Sequence, residues 1–252
     1  MIIISPSKNL DLKKEDFNFK QSSPLFEDSS KILVKKLKTL DSLKISSLMN
    51  ISEKLSILNY ERFQQFTSDS NIRKPAAYIF SGDTFNGLSI RSFNSKSLEY
   101  AQNELRILSG LYGILKPLDF IEPYRLEMGT NTSSIIGSDL YEFWKDKVTT
   151  ELNSDMKRNK QKLLFNLASK EYSMVIDKNN LNYKVINFDF KKKKEGKLAN
   201  IGMLIKKLRG CMAKYILKNQ IKDTDLIKNF NDLGFKYSDS LSSSDNFIFL
   251  SQ

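Results

Sequence analysis

At 252 residues, 40% of them apolar and with 17 Phe and 10 Tyr, the chain is long enough for one large domain or two small ones and can bury a substantial core, which excludes disorder along its whole length. Its one cysteine, Cys211, rules out an intramolecular disulfide framework, and the absence of histidine removes the commonest metal ligand and the commonest general base. The net charge of +11 is unevenly held: residues 151–220 carry 17 basic and 6 acidic groups against 10 and 11 in 61–150, so one segment favours a polyanion such as nucleic acid as partner, a solvated lysine-rich surface being the plainer alternative.

In chain order, Ile2–Ile4 reads as a short buried strand ended by Pro6. The apolar start is far shorter than a signal-peptide core, and no apolar run approaches the roughly 18 residues of a bilayer span, which predicts a soluble, cytoplasmic protein without membrane contact. Ser30–Thr39 carries a helical stripe in Ile32, Leu33, Lys36 and Leu37, and Ser47–Phe66 reads as one helix with Leu48, Ile51, Leu55, Leu58 and Phe63 largely on one side. Asp41 and Ser52 supply polar punctuation. Ala76–Phe80 (AAYIF) reads as a second strand between Pro75 and Ser81-Gly82-Asp83. Helical spacing returns over residues 97–109 and 138–152, with a polar loop at Asn131–Ser134 between them. Leu163–Leu167 and Tyr183–Phe190 read as strands, Lys191–Lys194 before Glu195-Gly196 as a solvated β-turn, 203–218 as a helix and Ser238–Asn246 as a loop. Strands separated by helices, with neither a long linker nor a repeat, predict one mixed α/β domain over residues 1–252.

Most literal motifs fail on context. Ser5-Pro6-Ser7-Lys8 is an S-x-x-K and Ser244-Asp245-Asn246 an S-D-N, but Pro6 follows a strand where penicillin-recognising serine enzymes need a helix, and no K-T-G follows. Neither glycine-rich phosphate loop is present. Asp83 stands directly after a strand candidate, where a helix or turn cap is its plain account. Glu122 and Glu127 flank Tyr124-Arg125 and are expected to pair with that arginine. Helix 203–218 presents Leu204, Leu208, Met212 and Tyr215 on one face and Lys207, Gly210, Lys214 and Lys218 on another, with Lys206 and Arg209 near its edge. Gly210 costs a helix about 1 kcal/mol relative to alanine. Either tight helix packing or close approach of a phosphate backbone therefore requires it, and packing is the favoured account.

The stretch LRILSGLYGILKPLDF, residues 105–120, reads as a tight corner between two helical elements. Its glycines permit positive φ and leave amides uncovered, which suits either a plain connection or contact with a phosphate oxygen.

With these residues on the page the chain resembles the YaaA family of bacterial peroxide-stress proteins. The likeness is carried by Ile4-Ser5-Pro6-Ser7-Lys8, Gly82-Asp83 with Gly87-Leu88, Leu108-Ser109-Gly110-Leu111-Tyr112-Gly113, Pro123-Tyr124-Arg125-Leu126-Glu127-Met128-Gly129, Asn166-Leu167-Ala168-Ser169 with Glu171-Tyr172, and Lys206-Lys207 with Arg209-Gly210. The resemblance implies a family-specific α/β fold, a basic cleft and a helix-hairpin-helix element. It also implies protection of DNA under peroxide, low free iron, and binding of duplex and branched DNA without marked sequence preference. The nearest match to the hairpin is Ser109–Gly113, one residue longer between its glycines than the usual spacing. The leading expectation is DNA contact through Ser109, Gly110, Leu111, Tyr112, Gly113 and Lys116, with Lys206, Lys207, Arg209 and Lys214 as a cationic wall. The alternative is an enzyme acting on a nucleobase or nucleotide from a pocket of Ser5, Lys8, Asp83, Tyr124, Arg125 and Glu127, with a carboxylate, lysine or tyrosine as acid or base. No cofactor and no metal site is expected, because without histidine only oxygen ligands remain and none has ligand spacing; the sequence assigns no oligomeric state.

Overall fold

Three consecutive β-branched residues make Ile2–Ile4 a strand that is buried on both faces, and it sits in the middle of the main sheet. The computed structural model describes residues 1–194, 197–199 and 201–251. Ile2–Ile4 runs parallel to Leu105–Ser109 on one side and to Leu163–Asn166 on the other. Beyond the latter come Lys184–Lys194 and Asn246–Ser251, also parallel, then Phe235–Tyr237 and Asn231–Asp232 antiparallel at the edge. Gly113–Leu115 closes the opposite edge as an antiparallel partner of Leu105–Ser109, and Lys197–Ala199 folds back on Lys184–Lys194. Helices pack against this sheet, so the α/β class holds. The far half is cored by phenylalanines: Phe188 and Phe190 stack on Phe249, and Phe230 meets it edge-on. Among the described residues no helix is long and apolar enough to cross a membrane.

Several elements differ from their sequence pattern. Residues 97–109 are not one helix: Ser95–Glu104 is helical, started by Asn94, whose side chain accepts from the Ser97 amide, and Leu105–Ser109 is a wholly buried strand. A short apolar run has no period that separates buried strand from buried helix. Ala76–Ile79 (within AAYIF) is a single helical turn, with strand pairing only at Phe80–Ser81. Ser47–Phe66 divides into Ser42–Met49 and Glu53–Gln65, because Asn50 adopts a left-handed conformation at φ 48°. Asp41 caps the first of these through the Lys44 amide. Lys191–Lys194 continues a strand instead of turning; Glu195 and Gly196 lie outside the described residues. On helix Met203–Lys218, Leu208, Met212 and Ile216 are buried, but Leu204 is exposed.

The 105–120 stretch is corrected in the same way. Ser109–Gly113 turns a β-hairpin, with Ser109 opposite Gly113, so it is not the corner of two helices and no helix-hairpin-helix lies there. Its glycines serve packing. A Cβ on Gly110 would overlap the Leu126 carbonyl oxygen, and one on Gly113, at φ 70°, would stand 2.6 Å from the Trp144 ring. Trp144 donates from Nε1 to the Gly110 carbonyl at 2.9 Å. Ser109 Oγ accepts from the Tyr112 amide at 2.9 Å, and Ser109, Leu111 and Tyr112 are 0%, 0% and 3% exposed. No phosphate can reach amides held in this way.

Two contacts fix the layers around the sheet. Arg106 is buried in its strand, where its Nε donates to Asp155 of helix Leu140–Arg158 at 2.6 Å and one terminal nitrogen donates to the Leu105 carbonyl at 2.7 Å. Gly210 lies against helix Asp83–Leu88, where a Cβ would overlap the Thr84 carbonyl oxygen; reciprocally, a Cβ on Gly87 would overlap the Lys207 carbonyl oxygen. Packing, the favoured account of Gly210, is its reason.

Gly210→Ala is expected to gain about 1 kcal/mol of helix propensity and lose more to overpacking, typically about 1–3 kcal/mol and here against rigid backbone. Its urea midpoint should fall; an unchanged or higher midpoint would contradict the crossing. Asp155→Ala leaves a buried guanidinium unpaired and should cost about 3–5 kcal/mol by the same measurement, with Arg106→Met in the Asp155→Leu background recovering most of it.

Candidate functional site

A cavity of about 620 Å³ opens beyond the carboxyl ends of Ile2–Ile4 and Leu163–Asn166. The chain leaves Ile2–Ile4, adds Leu105–Ser109 on one side of it and later returns to add Leu163–Asn166 on the other. Loops diverge at such a point, and the crevice they leave is where open α/β sheets take ligands.

Four walls follow from local structure. Ser5 ends the first strand, and its Oγ accepts from the Ser169 amide at 2.8 Å and donates to Ser169 Oγ at 3.2 Å, tying the two strand ends together. Ser7 Oγ bonds the Ser81 carbonyl while Asn9–Leu10 pairs with Phe80–Ser81, which brings Gly82, Asp83 and Thr84 to the rim. Gly82 needs its φ of 135° there, since a Cβ would meet Ser7 Oγ at 2.8 Å. Tyr124 to Glu127 forms a third wall, anchored from below by the 2.5 Å hydrogen bond between Tyr124 and Ser109. Helix Met203–Lys218 supplies Met203, Lys206 and Arg209.

All six residues of the pocket expectation, Ser5, Lys8, Asp83, Tyr124, Arg125 and Glu127, line this one cavity, Tyr124 with its side chain turned into the core. Lys206 and Arg209, expected as part of a nucleic-acid surface, line it too. Glu127 is clamped by two cations, Lys8 Nζ at 2.6 Å and an Arg125 terminal nitrogen at 2.9 Å. Glu122 does not join them: it is buried elsewhere and accepts from the Thr67 amide at 3.0 Å. Asp83 opens its short helix, and Gly82 holds the cap position. The sequence reading missed Ser169, Glu171 and Tyr172 as site residues, although they follow a strand just as Ser5 does.

The lining mixes signs: Lys8, Arg125, Lys206 and Arg209 face Asp83, Glu127 and Glu171. Burial raises the hydroxyl pKa values of Tyr124 and Tyr172 well above the ordinary tyrosine value, so both stay protonated at neutral pH. Burial lowers the Arg209 guanidinium pKa, against a weaker attraction to Asp189. The remaining residues of the nucleic-acid set do not converge here. Lys207 is exposed and Lys214 half-buried on the same helix, whereas Lys116 lines a separate hollow of about 150 Å³ with Arg106, Asp119, Glu151 and Asp155. Burial pushes the Asp119 and Glu151 carboxyls up. Among the described residues, no group of three or more His, Cys, Asp or Glu side chains is arranged to hold a metal ion.

Comparison with known proteins gives a consistent picture. A family model described as peroxide stress protein YaaA matches residues 1–241. A UPF0246 protein of Teredinibacter turnerae is 43% identical over 252 residues, which cover 99% of this chain and 98% of that one. UPF0246 proteins of Legionella pneumophila (strain Corby) and Rickettsia bellii are each 40% identical, over 253 and 250 residues; these cover 99% of this chain in both cases, and 98% and 99% of theirs.

A likeness to peroxide-stress proteins raises the question whether Cys211 reacts with peroxide. It is 7% exposed, and burial, with Asp232 beside it, pushes its thiol up to about 11. An unfolded thiol near 8.5 is about one-quarter thiolate at pH 8, and one near 11 about a thousandth, so the native residue is unreactive. Iodoacetamide at pH 8 should label native protein about 100-fold more slowly than protein unfolded in urea; comparable rates would show the thiol to be accessible and activated.

Proposed function

The chain belongs to the peroxide stress protein YaaA family, and from that membership we propose that it serves the oxidative-stress response by binding DNA, duplex and branched, through its phosphates and without marked sequence specificity. The observation that carries this reading is helix Met203–Lys218. Lys206 and Arg209 enter the cleft beside Lys8 and Arg125, while Lys207 and Lys218 are exposed along the helix and Lys214 is half-buried. A row of cations on one rigid element meets phosphates and carries no base code. Most of the chain's surplus positive charge falls in the segment that contains it. On this reading the bound DNA lies across the mouth of the cleft, and its protection follows from occupancy of the backbone.

The helix-hairpin-helix that the family likeness implies is better accommodated by Ser42–Met49 and Glu53–Gln65 than by Ser109–Gly113. Three residues join the two helices. Asn50 takes the left-handed conformation that a glycine usually supplies, and Ser46 Oγ donates to the Ile51 carbonyl at 2.7 Å, holding the turn. Ser52 stands at the N-cap without a side-chain cap bond, so its hydroxyl leaves the first amides of a 13-residue helix to another acceptor, for which an anion is suited; Lys44 and Lys54 are exposed.

Gel shifts on duplex, four-way-junction and single-stranded DNA of one composition test the proposal. Affinity should fall linearly on a log–log salt plot, with a slope of about −0.9 per phosphate neutralised on duplex. Lys206→Glu with Lys207→Glu should lower duplex affinity about tenfold or more for every sequence and reduce the slope by about two. Absence of duplex binding at low salt would overturn the proposal, and a loss confined to one sequence would refute phosphate contact.

A further inference from the structure

Of the buried side-chain polar atoms among the described residues, three lack a hydrogen-bond partner, and two of those three are the guanidinium Nε atoms of Arg125 and Arg209, residues that line the same cleft. Buried donors are nearly always paired, so two orphans on residues that line one cavity call for an explanation. Arg125 gives one terminal nitrogen to Glu127 and keeps its Nε bare. Arg209 has no hydrogen bond and no ion pair among the described residues; Asp189 acts on it only as a neighbouring charge. Guanidinium groups with unused edge donors match the oxygens of a phosphate or carboxylate.

Charge distribution narrows the class of ligand. A cleft that threaded a polyanion would carry cations along its length, but here the carboxylates of Asp83 and Glu171 share the lining. Carboxylates accept and do not donate, so they repel a second phosphate and suit the N–H and O–H donors of a base or sugar. Glu171 is partly engaged, its Oε1 accepting from the Gly129 amide at 3.2 Å. Apolar surface is present as well, from the exposed Met203. A volume of about 620 Å³ falls within the roughly 300–1,000 Å³ usual for small-molecule sites, and it admits one nucleotide but no duplex.

We propose that the cleft binds a single nucleoside monophosphate unit, its phosphate on Arg209, Arg125 and Lys206 and its base or sugar donors on Glu171 and Asp83. The unit comes either from free nucleotide or from a strand of DNA whose nucleotide has swung out of the stack, since both present the same chemistry. The inference rests on the reading of the protein as one that handles nucleic acid, and it goes beyond backbone contact by giving the cleft an occupant.

The test uses the full chain in two arms. Calorimetric titration with the four deoxynucleoside monophosphates and their unphosphorylated nucleosides examines the free source. A duplex carrying 2-aminopurine, whose fluorescence rises on unstacking, examines the DNA source. Saturable binding of at least one monophosphate, about tenfold or more tighter than its nucleoside, supports the free source. A fluorescence rise on adding protein supports the DNA source. In either arm Arg209→Gln should weaken the response about tenfold or more. If that variant does not fold, Lys206→Ala, at an exposed position, replaces it, and the phosphate-against-nucleoside comparison on unaltered protein decides independently. Silence in both arms overturns the inference, and so does a response that a folded Arg209→Gln leaves unchanged. Gel shift without either response would leave the DNA reading standing and remove this one. Monophosphate binding without gel shift would do the reverse.

Discussion

Two residues with no side chain, Gly87 and Gly210, set the distance on which the cleft depends. Their helices cross backbone against backbone, with the carbonyl oxygens of Thr84 and Lys207 occupying the space where Cβ atoms would stand. Within a turn of that crossing lie Asp83 and Thr84 on one helix and Lys206 and Arg209 on the other, and all four line the cavity. Helices separated by larger side chains would hold these walls further apart. The helix-propensity cost of Gly210 is therefore a cost of geometry, borne where two charged walls must face each other at short range.

The opposite wall depends on a second close approach. Gly110 meets the Leu126 backbone, Ser109 holds the Tyr124 hydroxyl, and Trp144 closes over Gly113 and bonds the Gly110 carbonyl. The hairpin is thus a buried support for Tyr124 to Glu127, which carry Arg125 and Glu127 into the cleft. Arg106, three residues before Ser109, locks the same strand to helix Leu140–Arg158 through Asp155. Burial makes that pair sensitive: each ion is tolerable because the other is present, and the Gln102 and Leu105 carbonyls accept from one of the guanidinium's terminal nitrogens.

Electrostatics connects the two readings of the cleft. Its cations come from three separate chain segments, Lys8, Arg125 and the pair Lys206 and Arg209, and so do its carboxylates. Mixed lining of this kind suits a ligand with an anionic end and a donor-bearing end, whereas the exposed lysines of helix Met203–Lys218 outside the cavity suit an extended polyanion. The two surfaces share one helix, Lys206 and Arg209 lining the cavity and Lys207 and Lys218 standing exposed outside it.

The sequence by itself determined the class of fold, the position of helix Met203–Lys218 to the residue, the central strand Ile2–Ile4 and the six polar residues that converge. These were legible because a long amphipathic period, a β-branched run and polar groups at strand ends are local signals. Tertiary structure alone decided that Leu105–Ser109 is a strand, since a five-residue apolar run has no distinguishing period and takes its conformation from the partner it pairs with, here Ile2–Ile4. It decided as well what the glycines of SGLYG are for. Glycine marks a place where a Cβ cannot fit, but the sequence does not say what fills that place. Here a carbonyl oxygen and an indole ring stand where a phosphate was expected, and the unpartnered guanidinium Nε atoms belong to residues that line the cleft instead.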